Sequence, residues 1–302
     1  MSPSGVGWSG SAPGRSGLRL ADSLHGGYPA GCGQNRSTDY EEVCMPGLFS
    51  VDGKTVLVTG GSRGIGLMIA KGFVEAGARV IVSSRNAEVC ASVAERLSEF
   101  GSCEAIAADL SSDPGAGQLA AAVLDRAPSL DVLVNNAGAT WGAPLEAYPE
   151  SAFDKLWAVN VKAVFRLTTA LLPALRASAS ADDPARVINI GSIDGIRVPW
   201  MEVYAYSATK AAVHMLTRSL AHQLAPEHIT VNAIAPGPFE SKMMAFALDD
   251  PATRATIEHQ VPLGRIGRPD DMAGAAIYLA SRAGAYLTGA VIPVDGGITT
   301  HG

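Results

Sequence analysis

Thr55-Val-Leu-Val-Thr-Gly-Gly-Ser-Arg-Gly-Ile-Gly66 is the stretch that decides the fold, because it joins three patterns in order. An apolar, β-branched run comes first, a glycine-rich turn follows, and Leu67–Glu75 then has apolar residues at helical spacing. Glycines let the backbone turn tightly and approach a ligand, and a helix start offers free N–H groups to a pyrophosphate. The stretch predicts a phosphate-binding loop; a glycine turn without a ligand is the alternative interpretation.

Working outward, short apolar runs alternate with helical patterns along the rest of the chain. We predict strands near 55–59, 79–83, 103–107, 131–135, 186–190, 229–235 and 290–294. We predict helices near 65–76, 87–99, 115–127, 151–178, 206–225 and 270–281. This alternation is typical of an α/β fold of Rossmann type: one doubly wound parallel sheet of about seven strands, with helices on both faces.

The composition narrows the class of protein. The 302 residues are 47% hydrophobic and carry a formal net charge of −6, with scattered Lys and Arg, which argues against a nucleic-acid surface. No apolar run reaches the length of a membrane span, and we expect no membrane partner. The cysteines show no metal-ligand spacing, so we predict no metal site and a reducing cytoplasm. The histidines of one helix region are interpreted as surface or packing residues: His214, His222 and His228.

Residues 1–45 differ from everything after them. They are rich in Gly, Ser, Pro and Arg, without periodicity or the apolar core of a secretory signal, and we interpret them as a disordered tail. The folded domain is predicted over 46–302. We also hypothesise that Met45 is the native start. The mass of the protein from its own host tests this, since a mass that includes residues 1–44 would reject it.

Tyr206-Ser-Ala-Thr-Lys210 places a phenol and an ammonium one helical turn apart, on the same helix face. A nearby positive charge favours the phenolate, so we expect Lys210 to lower the pKa of Tyr206 from its usual value of about 10. A tyrosine tuned in this way suits general acid–base catalysis. The neighbouring Tyr204 is the alternative tyrosine, but it lacks a lysine four residues later.

The motifs, taken in order, resemble those of the short-chain dehydrogenases/reductases across Val51–Gly302. Within that family the chain is most similar to the 3-oxoacyl-carrier-protein reductases, particularly the branch linked to rhamnolipid synthesis. The motifs that carry the resemblance are Thr59-Gly-Gly-Ser-Arg-Gly-Ile-Gly66, Asn135-Asn-Ala-Gly138, Asn160, Ser192, Tyr206-Ser-Ala-Thr-Lys210, Pro236-Gly237 and Val294-Asp-Gly-Gly297.

The resemblance implies a role for each matching residue. Tyr206 would be the proton donor, Lys210 its partner and a ribose ligand, Ser192 a donor to the substrate oxygen, and Asn160 the anchor of a relay water. The implied cofactor-binding residues are Gly60, Ser62, Arg63, Gly64, Ile65, Gly66, Ser84, Arg85, Asp109, Leu110, Asn136, Ala137, Gly138, Tyr206, Lys210, Pro236, Gly237, Phe239 and Ser241.

The end of the second predicted strand indicates which nucleotide binds. A carboxylate there would bond the ribose hydroxyls and repel a 2′-phosphate, but this chain has Val82-Ser-Ser-Arg-Asn86. Arg85 can pair with the phosphate through its planar fork, Ser84 can donate a hydrogen bond, and Arg63 adds positive charge. We therefore predict NADP(H) as the cofactor; a merely solvated Arg85 is the alternative.

The predicted function is NADPH-dependent reduction of a ketone, lipophilic and 3-oxoacyl-like, to a secondary alcohol. The alternatives are an alcohol, steroid or sugar dehydrogenase acting oxidatively, or a non-catalytic NADPH sensor. The substrate edge is predicted over Ala139–Leu145, Ser192–Met201 and a mobile segment, Phe239–Pro262. The apolar residues of these segments either meet substrate or, for Met243, Met244 and Phe246, pack on the domain. Asp194 and Arg197 are candidate substrate contacts. Relatives imply a homotetramer or dimer.

Overall fold

Seven parallel strands form one sheet in the order β3-β2-β1-β4-β5-β6-β7. The structure is a computed structural model that describes residues 47–241, Met244 and residues 248–300. The order of the strands confirms the doubly wound parallel sheet predicted from the sequence. The strands are β1 Thr55–Thr59, β2 Arg79–Ser84, β3 Cys103–Ala107, β4 Val132–Asn135, β5 Ala185–Ile190, β6 Ile229–Pro236 and β7 Val291–Val294.

Helices cover both faces of this sheet. The first three and the last agree with the predicted spans to within two residues at each end. The helices are α1 Gly64–Glu75, α2 Ala87–Leu97, α3 Gly115–Arg126, α4 Glu150–Trp157, α5 Ala163–Ala170, α6 Leu172–Ser178, α7 Tyr204–Leu224, α8 Pro251–Gln260 and α9 Pro269–Ala280.

Alternation along the strands divides the core into two layers. Val56 and Val58 of β1 pack into the layer beneath α1, α2 and α9, whereas Leu57 between them packs into the layer beneath α3, α5, α6 and α7. Successive side chains of a strand point to opposite faces, so one continuous apolar run supplies both layers. All three side chains are fully buried.

The order of the strands reverses at β1, which pairs with β2 on one side and with β4 on the other. The connections therefore diverge here, and they leave a crevice beyond the carboxyl ends of the two central strands, at Thr59 and Asn135. Ligands of open α/β sheets bind at such a switch point.

The single helix predicted over 151–178 is wrong. The chain forms α4, a π-helical turn at Ala158–Lys162, α5 and then α6, which is bent by 55° from the preceding helical segment. The bend has a simple cause in Pro173, which lies in the first turn of α6 and has no N–H to continue the helical bonding. The π turn contains Asn160, whose contacts are described below.

The prediction of a mobile segment over Phe239–Pro262 overlooked α8, Pro251–Gln260. Asp250 caps this helix by accepting from the Thr253 N–H at 2.8 Å, and Pro251 occupies the first helical position. Met244 packs against the small cluster of Leu248, Ile257 and Ile266, which favours the packing interpretation for that methionine. Met243 and Phe246 lie outside the described residues.

The tail predicted over residues 1–45 also lies outside the described residues, so the domain boundary stays a prediction. Within the described part of the chain, no single helix combines the length and the apolar character of a membrane span. Glu150–Ala170 and Leu172–Ser178, which form a bent pair, together have the length and apolar composition of a span, and this statement concerns length and composition only.

Candidate active site

The glycine turn after β1 lies against the end of β4. Gly60 has a φ of +65°, which a residue with a side chain rarely adopts. A Cβ on Gly66 would lie 2.4 Å from both the Asn136 Nδ2 and the Gly60 carbonyl oxygen. Both positions therefore require glycine, and the backbone of the turn lies open toward the crevice. Arg63 is exposed at the start of α1 without a side-chain cap, and Ser62 and Ile65 flank it, partly exposed.

Side chains from β1 and β4 fix this turn in place. The Thr59 Oγ1 donates to the Val134 carbonyl at 3.2 Å and accepts from the N–H groups of Asn136 and Ala137 at 2.9 and 3.0 Å. The Asn136 Nδ2 donates to the Thr59 carbonyl at 2.8 Å. The floor of the crevice is thus hydrogen-bonded before any ligand enters, which lowers the entropy cost of binding.

The end of β2 and the loop after β3 form the outer edge of the crevice. Arg85 is exposed there and makes no ion pair within the described part of the chain. The carboxylate of Asp109 accepts from the Ser111 hydroxyl at 2.7 Å, and this bond, with help from Arg85, lowers the pKa of Asp109. Leu110 is buried, and the Ser84 hydroxyl donates to the Asn86 carbonyl at 3.3 Å.

The start of α7 brings Tyr206 and Lys210 beside the crevice, and its N–H at Ala205 donates to the Tyr148 hydroxyl at 3.2 Å. The Lys210 Nζ donates to the Ile190 carbonyl at 2.7 Å and lies 5.5 Å from the centre of the Tyr206 ring. A Cβ on Gly138 would lie 3.8 Å from the same Nζ, so Gly138 lies directly against the buried ammonium.

Burial, rather than the neighbouring ammonium, dominates the proton affinities at this site. It raises the pKa of Tyr206 to about 12; a hydrogen bond from Ser192 acts the other way, and the Asp194 charge adds to the rise. Burial also lowers the pKa of Lys210 to about 8, against the pull of Asp194. The expectation that Lys210 lowers the pKa of Tyr206 is wrong for this structure, because desolvation outweighs attraction between the two groups. Tyr206 therefore keeps its proton at neutral pH.

Ser192 follows β5 and faces the tyrosine. It is 6% exposed, and its Oγ accepts from the Asp194 N–H at 3.1 Å, which leaves its own proton for the Tyr206 oxygen. Burial raises the pKa of the Asp194 carboxyl, against the charges of Arg197 and Lys210. Asp194 thus adds negative charge to the site, and its contact with substrate stays a prediction.

Asn160 lies in the π-helical turn, where it is buried and fully bonded. Its Oδ1 accepts from the Ala139 N–H at 2.9 Å, and its Nδ2 donates to the Ala139 carbonyl at 3.0 Å and the Thr209 hydroxyl at 2.9 Å. The side chain joins the loop after β4 to α7. Its role as the anchor of a water stays a prediction.

The segment after β6 closes the far side of the crevice. Gly237 packs on Asp295, where a Cβ would meet the Asp295 Cα at 2.8 Å, and Ser241 lies over the glycine turn, with its Cβ 3.3 Å from a Cβ built on Gly64. Pro236 is buried at the end of β6. The Phe239 ring is buried against Gly267, so any cofactor contact of Phe239 has to come from its main chain.

The sequence predictions give no specific role in this site to Thr59, Tyr148 or His214. Thr59 enters them only as part of the loop, and His214 only as a surface or packing residue. Thr59 at the end of an apolar strand is a detectable signal, because a buried hydroxyl needs partners. Tyr148 and His214 act through contacts between distant segments, for which the sequence has no local pattern.

The geometry fits a dinucleotide. Gly60 and Gly66 let the turn pack closely against Asn136, and helix α1 begins directly after this turn, so its first N–H groups face the crevice. Arg85 and Ser84 lie at the end of β2, and a carboxylate is missing from residues 82–86. The tyrosine and lysine lie at the opposite end, beneath Gly138.

Comparison with known proteins agrees with this geometry. The family model described as enoyl-(acyl carrier protein) reductase, a model of short-chain dehydrogenases/reductases, matches residues 60–299. The rhamnolipids biosynthesis 3-oxoacyl-[acyl-carrier-protein] reductase of Pseudomonas aeruginosa is 55% identical over 253 residues, which cover 84% of this chain and 99% of the relative.

Two solved structures extend the comparison. The Pseudomonas aeruginosa RhlG/NADP active-site complex has a TM-score of 0.81 at 55% identity, covering 83% of this chain and 98% of that chain. A gluconate 5-dehydrogenase from Burkholderia cenocepacia J2315, in complex with NADP and tartrate, has a TM-score of 0.78 at 34% identity. The match covers 84% of this chain and 98% of that chain. The fold, the nucleotide crevice and these matches together establish that the chain belongs to the short-chain dehydrogenase/reductase family, as an oxidoreductase that uses NADP(H).

Proposed function

We propose that this enzyme reduces a lipophilic ketone of the 3-oxoacyl type to a secondary alcohol, with Tyr206 as the general acid. One observation carries the proposal: the Ser192 and Tyr206 hydroxyls and the Lys210 ammonium converge at one end of the nucleotide crevice. A phenol with a pKa of about 12 is protonated at neutral pH, which is the form that a proton donor needs.

Each residue has a role that follows from its contacts. The Tyr206 hydroxyl holds the proton that the alcohol oxygen receives, and Ser192 donates to the same oxygen as negative charge builds on it. Lys210, held by the Ile190 carbonyl, keeps positive charge beneath Gly138 and beside the phenol. Asn160 fixes the wall that begins at Ala139.

The nucleotide would be held along the crevice by the residues described above. We place its pyrophosphate against Gly60–Gly66, its 2′-phosphate beside Ser84 and Arg85, and its adenine beside Asp109 and Leu110. Asn136, Ala137 and Gly138 would lie along the ribose, and Pro236, Gly237, Phe239 and Ser241 near the nicotinamide. NADPH bound in this way supplies the hydride. The protein supplies the proton and the orientation of the carbonyl.

The character of the rim supports a lipophilic substrate. Trp141, Ile196, Val198 and Trp200 are all large, apolar and well exposed around the entrance. Such side chains recognise acyl or ring carbons by burying them, whereas a sugar acid would require more hydroxyl and amide groups. The relative from Burkholderia cenocepacia is named for gluconate, so an oxidative alcohol, steroid or sugar dehydrogenase is the second candidate. A non-catalytic sensor would have no need of the four converging residues.

Tyr206→Phe tests the proposal. We expect this variant to lose roughly 10²- to 10⁴-fold in turnover of a 3-oxoacyl thioester, because it removes only the proton donor. Its Kd for NADPH should stay unchanged. Loss of NADPH absorbance reports turnover, and fluorescence titration reports binding. Tyr204→Phe, an exposed tyrosine on the same helix, is the matched control and should keep the rate of the parent.

Two outcomes would contradict the proposed function. A near-normal rate for Tyr206→Phe would show that another group donates the proton. Faster turnover of a 5-keto sugar acid or an oxosteroid than of any 3-oxoacyl thioester by the parent enzyme would reject the substrate class and favour the second candidate.

We further propose a homotetramer, or a dimer, in the cytoplasm. The face formed by α4, α5 and α7 leaves Phe153, Trp157, Phe165 and Met215 well exposed, although they are large and apolar, and a second copy of the chain would bury them. The cytoplasmic location is supported by Cys90 and Cys103, which are both free thiols with at least partial burial.

A further inference from the structure

His214 is a buried imidazole that the proposed chemistry does not use. It lies on α7, one turn after Lys210, and is 5% exposed. Its Nε2 is buried without a hydrogen-bond partner among the described residues. A buried imidazole with an unpartnered nitrogen is costly, so its position calls for an explanation beyond helix packing.

The imidazole fills the space beneath two glycines on either side of Ser192. A Cβ on Gly191 would lie 2.1 Å from the His214 Nε2, and a Cβ on Gly195 would lie 3.0 Å from the His214 Cε1. The ring therefore replaces the side chains that these two positions lack. It touches the loop immediately before and shortly after the serine.

The same loop also holds the lysine. The Ile190 carbonyl, which accepts from the Lys210 Nζ at 2.7 Å, directly precedes Gly191. The Gly195 backbone lies on α7 itself, because a Cβ there would be 2.7 Å from the Ala211 nitrogen. Loop 190–195 thus carries one partner of Tyr206 and the acceptor of Lys210, and the His214 ring fills the space between its Gly191 end and the helix.

We propose that His214 is a positioning residue that sets the distance between loop 190–195 and α7, and with it the placement of Ser192 and of Lys210. This inference rests on the proposed function for its kinetic consequence. Its structural content, the support of the loop by the ring, is independent of that function. A shift of about 1 Å in a catalytic group can cost roughly 10²-fold in rate.

A double-mutant cycle between Gly191→Ala and His214→Ala tests the proposal, with turnover of a 3-oxoacyl thioester as the readout. Gly191→Ala in the parent should collide with the ring, displace Ser192 and lower kcat roughly 10- to 100-fold. In the His214→Ala background the collision with the ring is removed and the nearest remaining contact is the Ile234 carbonyl oxygen, at 3.3 Å, so the same change should cost less than about threefold.

Matched variants separate positioning from general loss of stability. Gly195→Ala meets the backbone of α7, so His214→Ala should not relieve its effect. His214→Gln retains a hydrogen-bonding group and should keep more of the parent kcat than His214→Ala. His222→Ala, exposed on the same helix, should match the parent. Thermal unfolding of each variant confirms that the assays compare folded proteins.

A crystal structure of His214→Ala supplies a readout besides activity. We expect the Gly191 end of loop 190–195 to move toward α7 and the contact between Lys210 Nζ and Ile190 to change from its 2.7 Å. Additive effects in the cycle, or an unmoved loop, would overturn the inference even if the parent reduces ketones. A parent without ketone reductase activity would reject the proposed function instead, and the crystal structure would then decide the inference alone.

Discussion

Arg85 stands exposed at the end of β2, where a carboxylate would exclude a 2′-phosphate. Arg85→Asp should raise the Kd for NADPH roughly 10- to 100-fold, because a charge-assisted hydrogen bond worth about 1.5–3 kcal/mol is lost. The Kd for NADH should change little or fall. Fluorescence titration with both nucleotides measures this, and Arg96→Asp, exposed on α2, is the charge-matched control. An unchanged Kd for NADPH would show that Arg85 is only solvated.

At the same scale, His214 makes the fold sensitive to acid. Burial, together with the charge of Lys210, lowers the pKa of His214 from 6.5 to about 4; the Gly195 backbone opposes the shift and Arg218 adds slightly to it. Between these values the unfolded chain binds more protons than the fold, so the free energy of unfolding falls as pH drops from about 6.5 to about 4. The loss approaches about 3 kcal/mol.

Urea unfolding at a series of pH values checks this prediction. His214→Gln should flatten the decline between pH 6.5 and 4, since glutamine does not titrate. His222→Gln, exposed on the same helix, should leave the decline as it is in the parent. Parallel curves for the parent and His214→Gln would contradict the prediction.

At the scale of elements, Tyr148 joins the loop after β4, the proposed edge of the substrate site, to the helix that carries Tyr206. Its hydroxyl donates to the Trp141 carbonyl and accepts from the Ala205 N–H, both at 3.2 Å, and its ring packs edge-on against Tyr204 and Phe153. The start of α7 lacks a side-chain cap of its own, so this hydroxyl satisfies one of its free N–H groups.

Tyr148→Phe should therefore remove the hydrogen bonds that join the loop after β4 to α7, while the packing of the ring against Tyr204 and Phe153 is kept. We expect the KM for the ketone to rise roughly 2- to 10-fold, the range that follows from one or two neutral hydrogen bonds. The Kd for NADPH should be unaffected, because the nucleotide loop lies at the other end of the crevice. Steady-state kinetics with the ketone varied measures the change. A rise in the Kd for NADPH of the same size would argue for a general loss of structure.

Elements with strong local signals were predictable, and those that depend on partners were not. Strand β1 and helix α1 follow from an apolar run, a glycine turn and helical spacing in one short stretch. The π-helical break at Ala158–Lys162 does not follow from any local pattern, because Asn160 bonds to Ala139 and Thr209, which are distant in sequence. Helix α8 did leave a signal, the Asp250-Pro251 cap, but its weak apolar periodicity hid it.

At the scale of the whole molecule, the property to measure is the number of copies of the chain that associate in solution. If the exposed apolar face of α4, α5 and α7 is an interface, Phe165→Asp should place a charge in it and yield a smaller species in solution. Sedimentation velocity of the parent and variant at matched concentration measures this. Phe100→Asp is the control, since Phe100 is similarly exposed at the end of α2. A parent that sediments as a monomer would reject the proposed assembly.

The sequence by itself predicted the parallel sheet, the nucleotide crevice and the lack of a carboxylate beside Arg85, while the four candidate catalytic residues came with the family resemblance. The first three features depend on local patterns, whose spacing sets backbone conformation directly. Only the tertiary structure decided the proton affinities and the supports of the site. Whether Lys210 or burial governs the pKa of Tyr206 depends on how much protein surrounds both groups, and His214 and Tyr148 gain their roles from contacts between segments that are far apart in the chain.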